Sequence, residues 1–285
     1  MRISYFPNQI AQNGHPVLTA FLQSCCHHGH ETVADSMTAD LAVIWSQVWA
    51  GRMRGNQQVW QSYRSTNRNV IVLEVGGLKR GTTWRVGING VNGVADFGSY
   101  PANSNRAQQL GLQLRPWQQG SKIVICTQRS DSEQWNGMPN HEAWLDHVIA
   151  TLQQHTDRPI VIRPHPRARL QRQWPNVKIQ LPVHITGTYD DFDFESGIAT
   201  AWAVVNWNSN PGVQAVINGV PAFVGASSLA APVGNLDLAS IENPLRPDRQ
   251  QWINGLAHTE WTVAEIAKGL PLEQLMLGKT FQTTI

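Results

Sequence analysis

Short apolar runs that alternate with polar loops and helical stretches constrain this chain more than any other feature. Arg2–Phe6, Leu41–Trp45, Val70–Val75, Lys122–Thr127, Pro159–Arg163 and Ala203–Trp207 are five or six residues long and mostly rich in Val and Ile. Runs that short and that β-branched read as buried strands rather than helices. Helical patterns follow several of them, at Pro16–Cys26, Gln57–Ser65, His141–His155 and from Pro211 to Asn218. Weaker strands are expected near Glu31–Val33, Trp84–Ile88, Val177–Gln180 and Pro221–Val224. Further helices are expected at Arg106–Leu112, Phe194–Thr200, Asp248–Leu256 and Val263–Lys268. Strands alternating with helices in both halves predict an α/β chain with two parallel sheets, each covered by helices on both faces.

The length of 285 residues suits two such lobes. The segment Arg115–Gly120 reads as a linker, which divides the chain into residues 1–117 and 118–285. The tail helices are expected to pack back across the cleft between two Rossmann-like lobes. No run of 18 apolar residues is present, so no membrane span is expected. Three cysteines, Cys25, Cys26 and Cys126, give no disulfide framework and fit a reducing cytoplasm. Residues 1–117 carry ten Lys and Arg against five Asp and Glu, whereas residues 118–285 carry twelve against fifteen. The first half is therefore the favoured face for a polyanion, unless this is ordinary scatter of surface charge.

Two loops in the second half carry the candidate chemistry. Arg163-Pro164-His165-Pro166-Arg167 follows a strand, at the edge of an open parallel sheet where ligands bind. Arg163 and Arg167 suit a phosphate through bidentate bonds, and the flanking prolines fix His165. The competing reading is a solvated basic loop. Asn208-Ser209-Asn210-Pro211 opens a helix whose first N–H groups would suit a diphosphate, and the same residues also suit ordinary capping.

A strand ending in His-Pro, then Ser209, Ala215, Gly219 and Pro221 before another strand, resembles the nucleotide-sugar lobe of GT-B glycosyltransferases. The similarity is greatest to capsule-type Kdo transferases, bacterial sialyltransferases and polyglycerol-phosphate transferases. That resemblance implies two lobes facing each other across a cleft, with His165 and Ser209 at the donor phosphates; Arg163, Arg167, Asn208, Asn210 and Gln214, on the same two loops and the helix that follows, are the further donor candidates. Asp190 or Asp191 would bond donor hydroxyls. A single serine at 209, where sialyltransferases have a pair, favours a UDP-sugar over a CMP-linked donor. No permanently bound cofactor is implied. A divalent metal at the acidic stretch Tyr189–Glu195 is possible but not required. The first half, from Val70-Ile71-Val72-Leu73-Glu74-Val75-Gly76-Gly77-Leu78-Lys79-Arg80 to Trp84–Gly90, is similar to small phage-encoded glycosyltransferases that place sugars on hydroxymethylated pyrimidines. That implies DNA as acceptor and the host cytoplasm as location. A capsule or lipopolysaccharide glycan is the competing acceptor. A non-catalytic phospho-ligand or nucleic-acid binder is the competing class.

Transfer to a hydroxyl needs a base, for which Glu74, Asp96 and His15 are the candidates. Each also has a plainer role: Glu74 as partner of Lys79 or Arg80, Asp96 as a turn former, His15 as a helix-start residue. Arg52, Arg54, Arg64, Arg68, Lys79, Arg80 and Arg85 lie within 34 residues that hold one acidic residue, Glu74. They are expected to contact duplex DNA, with Trp49, Trp84 or Phe97 as a wedge. Cys25-Cys26-His27-His28-Gly29-His30 lacks zinc-ligand spacing and is expected to be structural, with no metal bound. P-loop, Gly-x-Ser-x-Gly and His-Glu-x-x-His motifs are absent.

Overall fold

The computed structural model describes residues 1–188 and 190–277; Tyr189, named above in the acidic stretch, lies outside them. In chain order, β1 (Arg2–Tyr5) leads to α1 (His15–His27), β2 (Glu31–Ala34), β3 (Leu41–Trp45), α2 (Asn56–Ser65), β4 (Asn69–Val75), β5 (Trp84–Ile88) and a short α3 (Asn105–Gln109). Next come β6 (Lys122–Cys126), α4 (His141–His155), β7 (Ile160–Arg163), β8 (Val177–Ile179), α5 (Phe194–Ile198), β9 (Ala201–Asn206), α6 (Asn210–Ile217) and β10 (Ala222–Phe223). The tail holds α7 (Gln250–Leu256), β11 (Glu260–Trp261), α8 (Val263–Ala267) and α9 (Leu270–Met276).

The chain divides into two compact units. The first takes Met1–Arg106, Asp131–Glu133 and the tail from Asn254 on, and the second takes Ala107–Ser130 and Gln134–Ile253. This differs from a simple division at 117/118, because the tail joins the first unit. There β11 pairs with β5 through Glu260↔Arg85 and Trp261↔Trp84, and α8 packs on α1.

The first unit's sheet has the order β11-β5-β4-β3-β1-β2. Strands β1 to β4 are parallel, as expected, but β5 runs antiparallel to β4. The physical reason is length: the connection from Gly76 to Thr83 is too short for the crossover that a parallel pair requires. Side chains alternate through the buried strands. Leu41, Val43, Trp45, Ile71 and Leu73 join a core with Val17, Leu18 and Phe21 of α1. Ala42, Ile44, Val70 and Val72 face the opposite core, with Val59 and Tyr63 of α2. Continuous apolar strands such as Leu-Ala-Val-Ile-Trp are what two covered faces demand.

A buried carboxylate ties the tail to the β4–β5 turn. Glu260 is fully buried; one oxygen accepts from Gly77 N–H at 2.7 Å and Arg85 Nη2 at 2.6 Å. The other accepts from Leu78 N–H at 2.9 Å and Thr83 Oγ1 at 2.8 Å. Gly76 is required beside it, since a Cβ there would lie 2.2 Å from the Thr83 carbonyl oxygen and 2.5 Å from Glu260. Arg106 secures the next turn: it donates to the carbonyls of Ala257 and Glu260, pairs with Glu265 and lies 3.8 Å over the Trp261 ring.

The second unit's sheet, β10-β9-β6-β7-β8, is parallel throughout. Ile123, Ile125, Ile160, Ile162, Ala203 and Val205 form its core with Trp144, Leu145, Val148, Ile149 and Leu152 of α4. Helix α4 starts at Asn140, whose side chain accepts from Ala143 N–H at 2.9 Å, a cap worth about 1 kcal/mol. No helix among the described residues is long and apolar enough to cross a membrane.

Candidate functional site

The carboxyl ends of parallel strands collect the loops that follow them, and both units use this edge. In the second unit β6 lies between β7 and β9, so the segment after β6 stands between the two loops singled out above. Thr127 donates its N–H to the Arg163 carbonyl at 3.2 Å, and its hydroxyl accepts from His165 N–H at 2.9 Å. On the other side Asn206 Nδ2 donates to the Cys126 carbonyl and to Ser209 Oγ, both at 2.9 Å. His165 and Ser209 therefore share one edge, on the two strands flanking β6.

His165 is half-buried, and its Nδ1 accepts from Arg167 N–H at 3.1 Å, which places the proton of the neutral ring on Nε2. Ser209 precedes α6 but its hydroxyl does not cap that helix; it accepts from Asn206 instead. Asn206 is 2% exposed, and its Oδ1 is a buried acceptor with no protein donor. Partly buried Asn210 and Gln214 lie on α6.

Other expected donor residues are used differently. Arg163 is buried and paired with Asp193, and its guanidinium lies against Gly197 of α5, so it is not displayed to a phosphate. Burial opposes the charge on Asp193, but the Arg163 bond and Val183 N–H hold its carboxyl below the usual range. Arg167 is exposed and pairs with Asp190 at 3.0 Å. Asp191 accepts from Phe192 N–H within its own loop. Asn208 is a tie between loops: its Oδ1 accepts from Gln128 Nε2 at 2.9 Å and its N–H donates to Gln128 Oε1 at 3.1 Å. Its Nδ2 donates to the Gln134 carbonyl and to Ser227 Oγ. Thr127 and Asn206 were read only as parts of apolar runs, and Gln128 and Ser227 were not singled out. For Thr127, Gln128 and Asn206 the available signal was a polar residue at or just after the end of an apolar run; Ser227 offered none.

In the first unit, Glu74 near the end of β4 stands beside Ser46, since Trp45 pairs with Leu73. Its Oε2 accepts from Ser46 Oγ at 2.6 Å and its Oε1 from Val75 N–H at 2.8 Å. Burial raises the Glu74 pKa, opposed by the Ser46 and Val75 bonds and by the charges of Arg85 and Arg80. His15 is exposed at the start of α1, on the chain that leaves the same edge after β1. Asp96 lies elsewhere. It bridges Ile88, which pairs with Ile71 near the start of β4, so Asp96 sits toward the opposite edge from Glu74. Its carboxylate accepts from Gly98 N–H at 2.8 Å, an Asx turn.

The seven cations also separate. Arg85 is 7% exposed and held by Glu260 and the Val91 carbonyl, which corrects its expected place on a DNA-binding surface. Arg68 donates to the carbonyls of Met37 and Ala39 and lies over Tyr63, while Arg64 donates to the Arg68 carbonyl. Arg64, in the last turn of α2, and Arg68, between α2 and β4, both sit at the amino edge. Arg52 and Arg54, on a short 3-10 helix (Gly51–Gly55), and Lys79 and Arg80, in the turn after β4, are exposed at the carboxyl edge, with Glu74. Trp84 packs against Trp45 in the core and so is no wedge. Cys25 lies in the α1 core, where burial pushes its thiol up to about 12. Among the described residues no group of three His, Cys, Asp or Glu could hold a metal ion.

Two Rossmann-like α/β units with these topologies define the GT-B class of fold. Two similar solved structures are KpsC transferases of Thermosulfurimonas dismutans. The β-Kdo 2,4 transferase is 12% identical, with a TM-score of 0.52 over 95% of this chain and 98% of that one. The β-Kdo 2,7 transferase is 13% identical, with a TM-score of 0.51 over 96% and 100%. No family model matches the chain, and no curated protein matches it in sequence.

Proposed function

We propose that this protein is a glycosyltransferase that moves a sugar from a nucleotide-sugar donor, a UDP-sugar first, to a hydroxyl of a polyanionic acceptor. The reading is carried by one cluster: His165, Ser209, the start of α6 and the buried Asn206 Oδ1 share one edge of a parallel sheet. His165 Nε2–H and the first-turn N–H groups of α6 suit the donor phosphates, and stabilise the charge that grows on the departing phosphate. Glu74 removes the acceptor proton, a task suited to a carboxylate whose pKa burial has raised. The sugar–phosphate bond breaks as the acceptor oxygen bonds the anomeric carbon.

Arg52, Arg54, Lys79 and Arg80 share the edge of Glu74, which favours an anionic acceptor. DNA bearing 5-hydroxymethylpyrimidines is the acceptor to test first, because the modified group projects into the major groove. The test incubates hydroxymethylated DNA and an acidic capsular glycan with a panel of nucleotide sugars and reads the products by mass. Sugar on the nucleoside supports the DNA acceptor, sugar on the glycan moves the assignment there, and neither product with any donor overturns the enzyme reading.

Two variants probe the halves separately. His165→Ala is expected to weaken UDP binding about 10–100-fold in calorimetry, the loss of a hydrogen bond to a charged group; unchanged affinity removes His165 from the donor site. Arg52→Glu with Arg54→Glu is expected to weaken DNA binding and flatten log K against log salt by about two units of slope. A salt dependence equal to that of the unmodified chain would take these arginines off the acceptor surface.

A further inference from the structure

We propose that Ser46 is a positioning residue that holds the Glu74 carboxylate aimed and charged for proton abstraction, an inference that rests on Glu74 being the base. Ser46 immediately follows β3, and its φ of +64° lies in the left-handed region, where glycine or asparagine is the usual occupant. It is 3% exposed and fixed on three sides. Its N–H donates to the Leu73 carbonyl at 2.7 Å, and its hydroxyl accepts from Val48 N–H at 3.2 Å. That same hydroxyl donates to Glu74 Oε2 at 2.6 Å. Strained backbone persists where surrounding bonds over-determine it, and such strain gathers at functional sites. Here the strain delivers one hydroxyl to one carboxylate oxygen.

The groups around Glu74 explain why that bond matters. Burial disfavours the charged form. The Ser46 bond is the largest opposing influence, followed by Val75 N–H on β4, then Arg85 on β5 and Arg80 in the turn between β4 and β5. Arg85 is already engaged by Glu260. Without the hydroxyl, Glu74 Oε2 loses the bond that most opposes the effect of burial, so the carboxyl holds its proton to higher pH and turns more freely.

Ser46→Gly separates this role from a merely structural one, because glycine accepts the left-handed backbone while removing the hydroxyl. The chain is labelled with ¹³C at glutamate carboxyls and titrated by NMR, the Glu74 signal being assigned by its loss in Glu74→Gln. In the unmodified chain Glu74 is expected to titrate above the exposed glutamates. In Ser46→Gly it is expected to titrate at a still higher pH, because the bond to the charged form is gone, with the unfolding midpoint no lower. Ser46→Ala, which keeps the Cβ, is expected to give the same shift and serves where the glycine variant folds poorly. A Glu74 titration unmoved in both variants overturns the role of Ser46. Wild-type sugar transfer by Glu74→Gln overturns the base assignment, and the catalytic part of this proposal with it; the two failures are read from different measurements.

Discussion

Glu260→Ala is expected to destabilise the first unit by about 3–5 kcal/mol, the usual consequence of leaving one partner of a buried ion pair uncompensated. The carboxylate receives four donors: Gly77 N–H, Leu78 N–H, Thr83 Oγ1 and Arg85 Nη2. Its removal strands the Arg85 guanidinium at 7% exposure and releases the turn between β4 and β5. A loss of that size is a large share of the 5–15 kcal/mol that typically holds a domain together. Urea unfolding, with hydrogen exchange followed at the Gly77 and Leu78 amides, measures it. Adding Arg85→Met removes the stranded charge and is expected to restore much of the loss. A single-variant loss under about 1 kcal/mol, within the range of exposed ion pairs, would mean that Glu260 does not hold this edge.

Glu74→Gln is expected to lower sugar transfer by about 10²–10⁴-fold, the usual contribution of a general base, while UDP binding stays as it was. Its effect on stability runs the other way. Burial raises the Glu74 pKa above its value in the unfolded chain. The folded state therefore binds this proton more tightly, and the stabilisation is fully present below the ordinary glutamate range. It is lost as pH rises through the raised pKa. At neutral pH glutamine avoids the burial of charge and still offers Ser46 an acceptor. Glu74→Gln should thus unfold no earlier than the unmodified chain there, and the transfer rate of the unmodified chain should fall as pH drops through the Glu74 titration. A variant that transfers normally, or one that loses activity only because it unfolds, would reject Glu74 as base.

Much of the fold was legible because its strands are runs of β-branched residues bounded by polar ones. Leu41–Trp45, Trp84–Ile88 and His141–His155 have the limits their patterns predict. Two elements were not legible. β11 is two residues, Glu260 and Trp261, and owes its state to pairing with β5. α9 follows Gly269 at φ +86° with Pro271 in its first turn, a start signal present in the sequence but set after a short helix that reads as the chain's last. At the candidate site, loop position was legible and side-chain use was not. His165 and Ser209 follow strands, so their shared edge could be foreseen. Arg85 reads as one cation in a basic run, yet its partner Glu260 is 175 residues away. Local pattern carries no trace of a bond at that distance, nor of the Asn208–Gln128 tie across 80 residues.

The return of the tail to the first unit has a consequence for how the protein is made. Every residue of the second unit has left the ribosome before Glu260, whose strand closes the β5 edge of the first. Through that interval β5 lacks its neighbour and Arg85 lacks its counter-charge. The nascent chain thus carries a completed inner unit inside an unfinished outer one. The open strand Trp84–Ile88 is the point at which premature release, a stalled ribosome or a lost C-terminus would leave an adhesive edge.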